Sequence, residues 1–514
     1  MTDPTLGGAR LMIGFEGTDP ASDLIPRLER TGARGVILFA RNIRDAPQTR
    51  ELIQEIRSRT PWPLVLAVDQ EGGPVVRVQR GASIFPGNMA LGAVGSPELA
   101  LEQGRASGRQ LAGMGFDLNL APVVDLQTNP ANPGIGIRSL GADRVRAASL
   151  AAALVRGHAE HGVQSCLKHF PGKGAASVDA HHDLPVLDLP LEAFRDPHLA
   201  IFEDLLASLD PAPAIMTSHV IVTGLDPDAP ATLSPRVVPE VLRERMGFSG
   251  LLLTDDLEMG AILRHGGVGA AAVRAARADH DLILVCHDAA RQIEAAESLS
   301  RALEEGRLDP GAHRAALDRI ARVAPSRGAV PLCDPGAGDA VADRIAEAAV
   351  HRFGDARGLL PLSPAARVVA LAFRPESVVG VEETSDERRR FEQDLEALLR
   401  GQGLRDVRVI ALESSRPVPD PLPAELGTAD RLLLLTWDAR RRDSVRALLE
   451  RACREWADRL IVLHLRNPFD QALVPDHVTA LTAFGYQPCQ LRALARVLCG
   501  HAPASGQLPA PLRA

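Results

Sequence analysis

Three residues have the types and spacing that nucleophilic and acid–base chemistry require. Asp179 and His181 stand two positions apart in Asp179-Ala-His181, and Asp255 begins the pair Asp255-Asp256. Residues i and i+2 of an extended chain point to the same side, so Asp179 can hydrogen-bond one ring nitrogen of His181. An imidazole with its ordinary pKa of about 6.5 can both donate and accept a proton near neutral pH. An aspartate can attack carbon and leave again as an ester, so these residues suit a double displacement.

A second group of polar residues lies at or shortly after the ends of short apolar runs. Sugar binding needs several fixed donors and acceptors: one aspartate can accept two hydroxyl hydrogen bonds, while arginine and lysine donate. The residues of this group are Asp69, Arg77, Arg138, Lys168 and His169.

Alternation of apolar runs with amphipathic stretches predicts the elements that position these side chains. Continuous apolar strands separated by helices indicate parallel strands buried on both faces. Eight such units favour a (β/α)8 barrel over a doubly wound open sheet, and the carboxyl ends of barrel strands line active sites. The predicted strands are Leu11–Gly17, Gly35–Ala40, Pro63–Asp69, Leu118–Leu126, Gln164–Phe170, Ala214–Val222, Leu251–Asp255 and Leu282–Cys286. The predicted helices are Ala21–Arg30, Gln48–Ser58, Pro97–Gly113, Arg144–Gly157, Leu191–Ser208, Pro239–Arg245, Val268–Arg277 and Arg291–Glu305.

A stretch rich in proline and glycine, residues 324–338, interrupts this alternation and is typical of a linker. We therefore expect a catalytic barrel at residues 1–323 and a smaller α/β sandwich domain at residues 339–514. The second domain has a predicted helix near Ala340–His351. Its predicted strands are Arg367–Phe373, Val407–Leu412, Arg431–Thr436, Leu460–Leu465 and Val478–Phe484.

Several motifs together resemble family 3 glycoside hydrolases, and within them the β-N-acetylhexosaminidase branch with an Asp–His dyad. They occur in the family's order over most of residues 10–320. The motifs are Asp69-Gln-Glu-Gly-Gly, Arg138-Ser, Lys168-His-Phe-Pro-Gly, Asp179-Ala-His181 and Thr254-Asp-Asp-Leu-Glu-Met259. The tail segment Ser505-Gly-Gln-Leu-Pro509 looks like the end of the family's C-terminal domain.

The resemblance implies a retaining exo-β-N-acetylglucosaminidase. The sequence has no Gly-rich phosphate loop after a strand and no metal signature, so we expect no cofactor or metal. The resemblance makes Asp255 the nucleophile, His181 the general acid/base and Asp179 its dyad partner. It assigns the polar group of strand-end residues (Asp69, Arg77, Arg138, Lys168 and His169) to the terminal sugar. A cytoplasmic role in recycling cell-wall muropeptides, or in trimming amino-sugar oligosaccharides, would follow.

One position departs from the branch. The branch usually reads His-Phe-Pro-Gly-His-Gly, and here the second histidine is replaced by Lys173. Its fixed charge and longer reach could pair with Asp179 or contact an anionic group, so the sugar and the acceptor stay open. The alternatives are a β-glucosidase or β-xylosidase of the same family, a phosphorylase that uses phosphate as acceptor, and a non-catalytic sugar-binding protein. A metal site formed by His169, His181, His182 and His219 with Asp255 is disfavoured, because the strongest motif supplies one histidine per loop and no H-x-H follows the first strand. A Schiff base on Lys168 would leave Asp179-Ala-His181 and Asp255-Asp256 without a purpose.

Composition excludes other classes of partner. The net charge of −8 and the 3% aromatic fraction disfavour nucleic acid and anionic membrane surfaces. The six scattered cysteines are typical of free thiols in a reducing cytosol. The N-terminal stretch has no basic region followed by an apolar one, so we expect no signal peptide.

Overall fold

The computed structural model of the chain describes residues 3–178, 184–263, 266–323, 330–374 and 391–513. Asp179, His181 and His182 lie outside the described residues, as does the segment 324–329 of the predicted linker.

Eight parallel strands form the first sheet, and they follow one another around it in chain order. A parallel bridge between Leu253 and Leu282 joins its two end strands, so the sheet closes on itself as a barrel and not as an open sheet. The strands are β1 (Leu11–Ile13), β2 (Gly35–Leu38), β3 (Val65–Val68), β4 (Leu118–Asn119), β5 (Gln164–Phe170), β6 (Ala214–Thr217), β7 (Leu252–Leu253) and β8 (Ile283–Val285).

Side-chain alternation along these strands separates a core inside the barrel from the cores beneath the surrounding helices. In β3, Val65 and Ala67 join the cluster inside the barrel, which also contains Ile320 of the last helix. Leu66 and Val68 belong to the cluster beneath the surrounding helices. Both faces are therefore apolar, which is why the strands are continuous apolar runs in the sequence.

Helices surround the barrel. The α-helices are Pro4–Gly8, Leu24–Thr31, Ala46–Arg59, Asn88–Val94, Pro97–Met114, Arg144–Glu160, Leu191–Phe194, Ala200–Ser208, Gly260–Leu263, Val268–Arg277, Ala289–Glu304 and Pro310–Val323. Short 3-10 turns are Ala40–Asn42, Gly136–Arg138 and Ala231–Leu233, and π-helical segments are Arg195–Leu199 and Val237–Arg245. Val186–Leu187 and Ile221–Val222 form a separate parallel pair.

Proline explains two differences from the predicted elements. The predicted helix Leu191–Ser208 is interrupted because Asp196, which precedes Pro197, has extended backbone angles (φ −107°, ψ 113°). A residue before proline is disfavoured in the helical region. The predicted strand Leu118–Leu126 ends at Asn119, shortly before Pro122, which has no N–H for a ladder.

The second sheet has six strands in the order β9-β14-β13-β12-β10-β11. They are β9 (His351–Gly354), β10 (Arg367–Phe373), β11 (Asp406–Leu412), β12 (Arg431–Thr436), β13 (Leu460–His464) and β14 (Thr479–Thr482). The edge strand β9 is antiparallel to β14 and was not predicted, since it is short and only half-buried. The helices of this part, which we call the C-terminal domain, are Asp339–Ala349, Phe391–Gly401, Asp443–Glu455 and Pro488–Leu498, with 3-10 turns at Ala424–Thr428 and Pro468–Leu473.

No helix in the described ranges of the chain is both long and apolar enough to cross a membrane.

Candidate active site

A cavity of about 270 Å³ opens at the carboxyl ends of the barrel strands. Such ends form the active-site face of this fold. Six of the residues singled out in the sequence line the cavity: Asp69, Arg77, Arg138, Lys168, His169 and Asp255.

Strand periodicity brings three of them to the barrel interior. Ala67, Cys166 and Leu253 point into the barrel core. Asp69, Lys168 and Asp255 each follow one of these residues by two positions, so they continue the inward-facing rows. The inward rows are apolar in the barrel and become polar at its rim.

His169 would point away from the cavity in a regular strand, because its neighbour Lys168 points in. The pairing of β5 with β6 shifts register between Lys168 and Phe170. Both Lys168 and His169 then line the cavity, while Phe170 packs outward beneath the helices. A β-bulge of this kind re-aims side chains next to active sites.

Lys168 and Arg138 are held by a buried carboxylate, Glu71. Arg138 donates to both Glu71 oxygens, from Nε at 2.9 Å and from Nη2 at 2.8 Å. Lys168 Nζ lies 2.6 Å from Glu71 Oε1 and 2.7 Å from Asp69 Oδ1. Arg77 Nη2 lies 3.6 Å from Asp69 Oδ2. We call these five residues the ion cluster.

The charges of the ion cluster support one another. Burial alone favours the neutral form of Glu71, but Arg138 and Lys168 outweigh it and lower its pKa to about 2. Burial likewise opposes the charge of Lys168, and Asp69 and Glu71 reverse that effect, so its pKa is raised. Glu71 belongs to the motif Asp69-Gln-Glu-Gly-Gly but is not one of the predicted site residues, yet it holds both Arg138 and Lys168.

Asp125, which ends the segment after β4, organises the loop that follows β5. Its Oδ2 lies 2.6 Å from His169 Nδ1 and accepts a hydrogen bond from the His169 amide at 3.1 Å. Its Oδ1 accepts from the Lys173 amide at 2.6 Å. Complete burial raises the pKa of Asp125 despite these donors and the nearby cation of Lys173.

Asp255 stands at the cavity wall with its side chain 17% exposed. Its amide donates to the carbonyl of Thr217 at 3.2 Å, and its Oδ1 accepts from the amide of Asp256 at 2.9 Å. Lys173 Nζ lies 3.7 Å from its Oδ2. The lysine that departs from the family pattern thus pairs with Asp255, whereas its predicted alternative partner Asp179 falls outside the described residues.

Asp256 is a further cavity residue whose setting the sequence did not reveal. Burial, Glu258 and Asp255 raise its pKa to about 8. Its Oδ2 lies 3.3 Å from Nε2 of His287, a half-exposed residue that also lines the cavity and packs against Phe39. The position of His287 just after β8 was the available signal. His219 also belongs to this corner, with Nε2 2.8 Å from the Asp256 carbonyl oxygen.

Among the described residues, no group of three or more His, Cys, Asp or Glu side chains has the arrangement of a metal site.

This closed parallel barrel, with acids and cations converging on its carboxyl rim, has the architecture of a barrel hydrolase. A family model for the glycosyl hydrolase family 3 N terminal domain matches residues 16–323. The match covers more than half of the chain, so the chain belongs to glycoside hydrolase family 3.

Several named proteins are similar to this chain. The chain is 37% identical over 283 residues to a beta-hexosaminidase of Xylella fastidiosa (strain 9a5c), covering 54% of this chain and 83% of the relative. It is 35% identical over 312 residues to a beta-hexosaminidase of Stenotrophomonas maltophilia (strain R551-3), covering 59% and 92%. Among solved structures, a glycoside hydrolase family 3 beta-N-acetylglucosaminidase from Paenibacillus sp. str. FPU-7 superposes with a TM-score of 0.91 at 31% identity, over 100% of this chain and 99% of the other.

Proposed function

We propose that this enzyme is a retaining exo-β-N-acetylglucosaminidase that removes terminal β-linked N-acetylglucosamine by double displacement. The observation that carries the proposal is the meeting of Asp255 in one cavity with four residues of the ion cluster, Asp69, Arg77, Arg138 and Lys168. The beta-hexosaminidase relatives and the beta-N-acetylglucosaminidase neighbour support the choice of sugar. At about 270 Å³ the cavity is at the small end of ligand pockets, which favours one terminal sugar over an internal segment of a chain.

Four residues of the ion cluster, together with His169, would bind the hydroxyl groups of that sugar. Asp69 offers carboxylate oxygens as acceptors, and Arg77, Arg138 and Lys168 offer donors. All four are buried, and ion pairs with one another or with Glu71 hold them in place before the sugar arrives. Pre-organised groups of this kind lower the conformational cost of binding.

Asp255 would be the nucleophile. In a retaining glycosidase a carboxylate attacks the anomeric carbon as the glycosidic bond breaks, and the glycosyl ester is then opened by water. His181, oriented by Asp179, would donate the proton to the departing oxygen and later accept one from water. These two roles rest on the sequence, since neither residue is among those described.

Lys173 favours a second candidate acceptor, phosphate. When Asp255 becomes an ester its negative charge is consumed, and the ion pair with Lys173 is lost. The cation then remains in a largely buried cavity, where an anionic acceptor would be attracted more strongly than in water. A phosphate oxygen would then attack the anomeric carbon in place of water and release the Asp255 carboxylate.

A panel of aryl β-glycosides, with and without inorganic phosphate, tests both parts of the proposal. We expect turnover of the N-acetylglucosaminide and little turnover of the glucoside or xyloside; the reverse preference would make the enzyme a β-glucosidase or β-xylosidase. A sugar phosphate formed with phosphate present would identify a phosphorylase. Absence of any turnover together with retained sugar binding would identify a non-catalytic sugar-binding protein.

We further propose a cytoplasmic setting, in recycling of cell-wall muropeptides or trimming of amino-sugar oligosaccharides. The six cysteines, all in described parts of the chain, carry free thiols and four of them are buried, which supports a reducing compartment. Release of N-acetylglucosamine from isolated muropeptides is the measurement that tests the substrate.

A further inference from the structure

Two barrel loops that carry the ion cluster are contacted by the C-terminal domain. Asn467, which lies shortly after β13, accepts a hydrogen bond at Oδ1 from the amide of Ile137 at 3.1 Å. Gln487, after β14, donates from Nε2 to the carbonyl of Gly73 at 2.5 Å. Both residues follow the carboxyl ends of adjacent parallel strands. That edge of the second sheet therefore faces the rim of the barrel.

Buried partners fix the orientation of Asn467. Its Nδ2 donates to Asp438 Oδ1 at 2.8 Å, and Asp438 Oδ2 lies 2.5 Å from Nη1 of Arg466. Asp438, Arg466 and Asn467 are exposed by only 3%, 2% and 6%. Because Asp438 takes the amide hydrogen of Asn467, the oxygen of Asn467 must face Ile137.

The contact lies next to a turn in which no residue larger than glycine fits at position 136. Gly136 has a φ of +50°, and a Cβ added to it would lie 2.2 Å from Asn467 Oδ1. Gly136 begins the 3-10 turn Gly136–Arg138. Arg138 ends that turn and forms the two-pronged contact with Glu71. A shift of Asn467 would therefore move the backbone at Gly136, two residues before Arg138, and with it the guanidinium group of Arg138.

The matches to the two named relatives cover only part of this chain. The matches cover 83% and 92% of their lengths but only 54% and 59% of this chain. Much of the present chain thus lies outside both matches.

We propose that Asn467 is a positioning residue for the terminal-sugar site: it holds the Gly136–Arg138 turn so that the guanidinium group of Arg138 stays paired with Glu71 in the ion cluster. In this enzyme the C-terminal domain completes the geometry of the sugar site without contacting the sugar through Asn467. The inference rests on the proposed function only for the identity of the sugar.

Asn467→Ala tests the inference, with Arg344→Ala as the matched control. Arg344 Nη1 lies 2.6 Å from Glu102 Oε2 in an exposed pair that joins the same two parts of the chain away from the cavity. We expect Asn467→Ala to raise KM for the aryl N-acetylglucosaminide about tenfold, since small misplacements of positioning groups cost one to two orders of magnitude. The control should keep KM and kcat. Equal KM values for both variants and the unaltered enzyme would overturn the proposal.

Calorimetric binding of free N-acetylglucosamine separates this inference from the proposed function. Asn467→Ala should weaken that binding by the same factor as it raises KM. If the unaltered protein binds the sugar but does not turn over the aryl glycoside, only the proposed catalytic function is refuted. The double change Asn467→Asp with Asp438→Asn keeps the acceptor facing Ile137 and reverses the second hydrogen bond. It should recover binding that Asn467→Leu does not. Equal binding by these two folded variants would refute the positioning role.

Discussion

Replacing Glu71 by glutamine tests whether charge, and not shape, holds the ion cluster together. The glutamate oxygens accept from Arg138 at 2.8 and 2.9 Å and from Lys168 at 2.6 Å. Glutamine has nearly the same shape, but it replaces one oxygen with a donor. Because arginine and lysine have no acceptor, that donor would face a cation and remain unpaired.

The expected loss of stability follows from the pKa of Glu71. The two cations lower it, against the effect of burial, from 4.5 to about 2. At about 1.4 kcal/mol for each pH unit, the ionised carboxylate stabilises the fold by about 3 kcal/mol. At an unfolding entropy of about 2.1 cal/mol/K per residue, a barrel of roughly 300 residues loses about 1.5 °C of Tm per kcal/mol, so Glu71→Gln should unfold about 5 °C lower at pH 7.

The pH dependence has a definite sign. A carboxylate whose pKa is lowered on folding contributes its full stability above the unfolded value of 4.5 and loses it as the pH falls towards 2. Scanning calorimetry between pH 7 and pH 3 should therefore show the gap in Tm between the two proteins narrowing below pH 4.5. Glu102→Gln, which removes an exposed carboxylate, should cost at most about 1 kcal/mol. If Glu71→Gln lowers Tm by less than Glu102→Gln does, or if the lowering is the same at every pH, the reasoning is refuted.

Three further predictions concern the cavity and its support. Asp255→Ala should lower kcat for the aryl N-acetylglucosaminide about 1000-fold or more while N-acetylglucosamine still binds; unchanged turnover would remove the nucleophile assignment. Asp256→Asn should raise Tm more at pH 8 than at pH 5: burial raises the pKa of Asp256 to about 8, so the wild-type fold loses stability as the pH rises from 3.8 through 8. An equal effect at both pH values would contradict a buried, protonated carboxyl group. Gly136→Ala should raise KM about tenfold, and by less when Asn467→Ala has already removed the facing oxygen, since only the strain of the positive φ then remains; fully additive effects would place the clash elsewhere.

Periodicity predicted those parts of the fold in which the apolar pattern alone determines the element. The strand Gln164–Phe170 and the helix Val268–Arg277 agree with the structure at both ends. The ends of other strands could not be predicted as closely. Thr254, for example, has a high strand propensity and extends the predicted strand Leu251–Asp255, whereas β7 ends at Leu253.

The candidate site was predicted as a set of residues but not as a network. Asp69, Lys168 and Asp255 could be placed at one rim because each ends an inward-facing row. The partner that fixes the cations, Glu71, could not be chosen, since its neighbour Asp69 has the same chemistry two positions away. The contact of Asn467 with Ile137 spans 330 positions, and no local pattern encodes such a pairing.

The replacement of a family histidine by Lys173 changes the charge of the cavity while leaving its backbone supported. The Lys173 amide donates to Asp125 at 2.6 Å, and its carbonyl accepts from Asn132 Nδ2 at 2.8 Å. Both contacts involve main-chain atoms, so they would survive a change of side chain. Lys173→His should therefore keep Tm within about 2 °C, as substitutions outside such contacts usually do, but remove the fixed cation beside Asp255. We expect the ratio of phosphate to water as acceptor to fall, measured from the products of the aryl glycoside. An unchanged ratio with an intact fold would mean that the acceptor is selected elsewhere in the site.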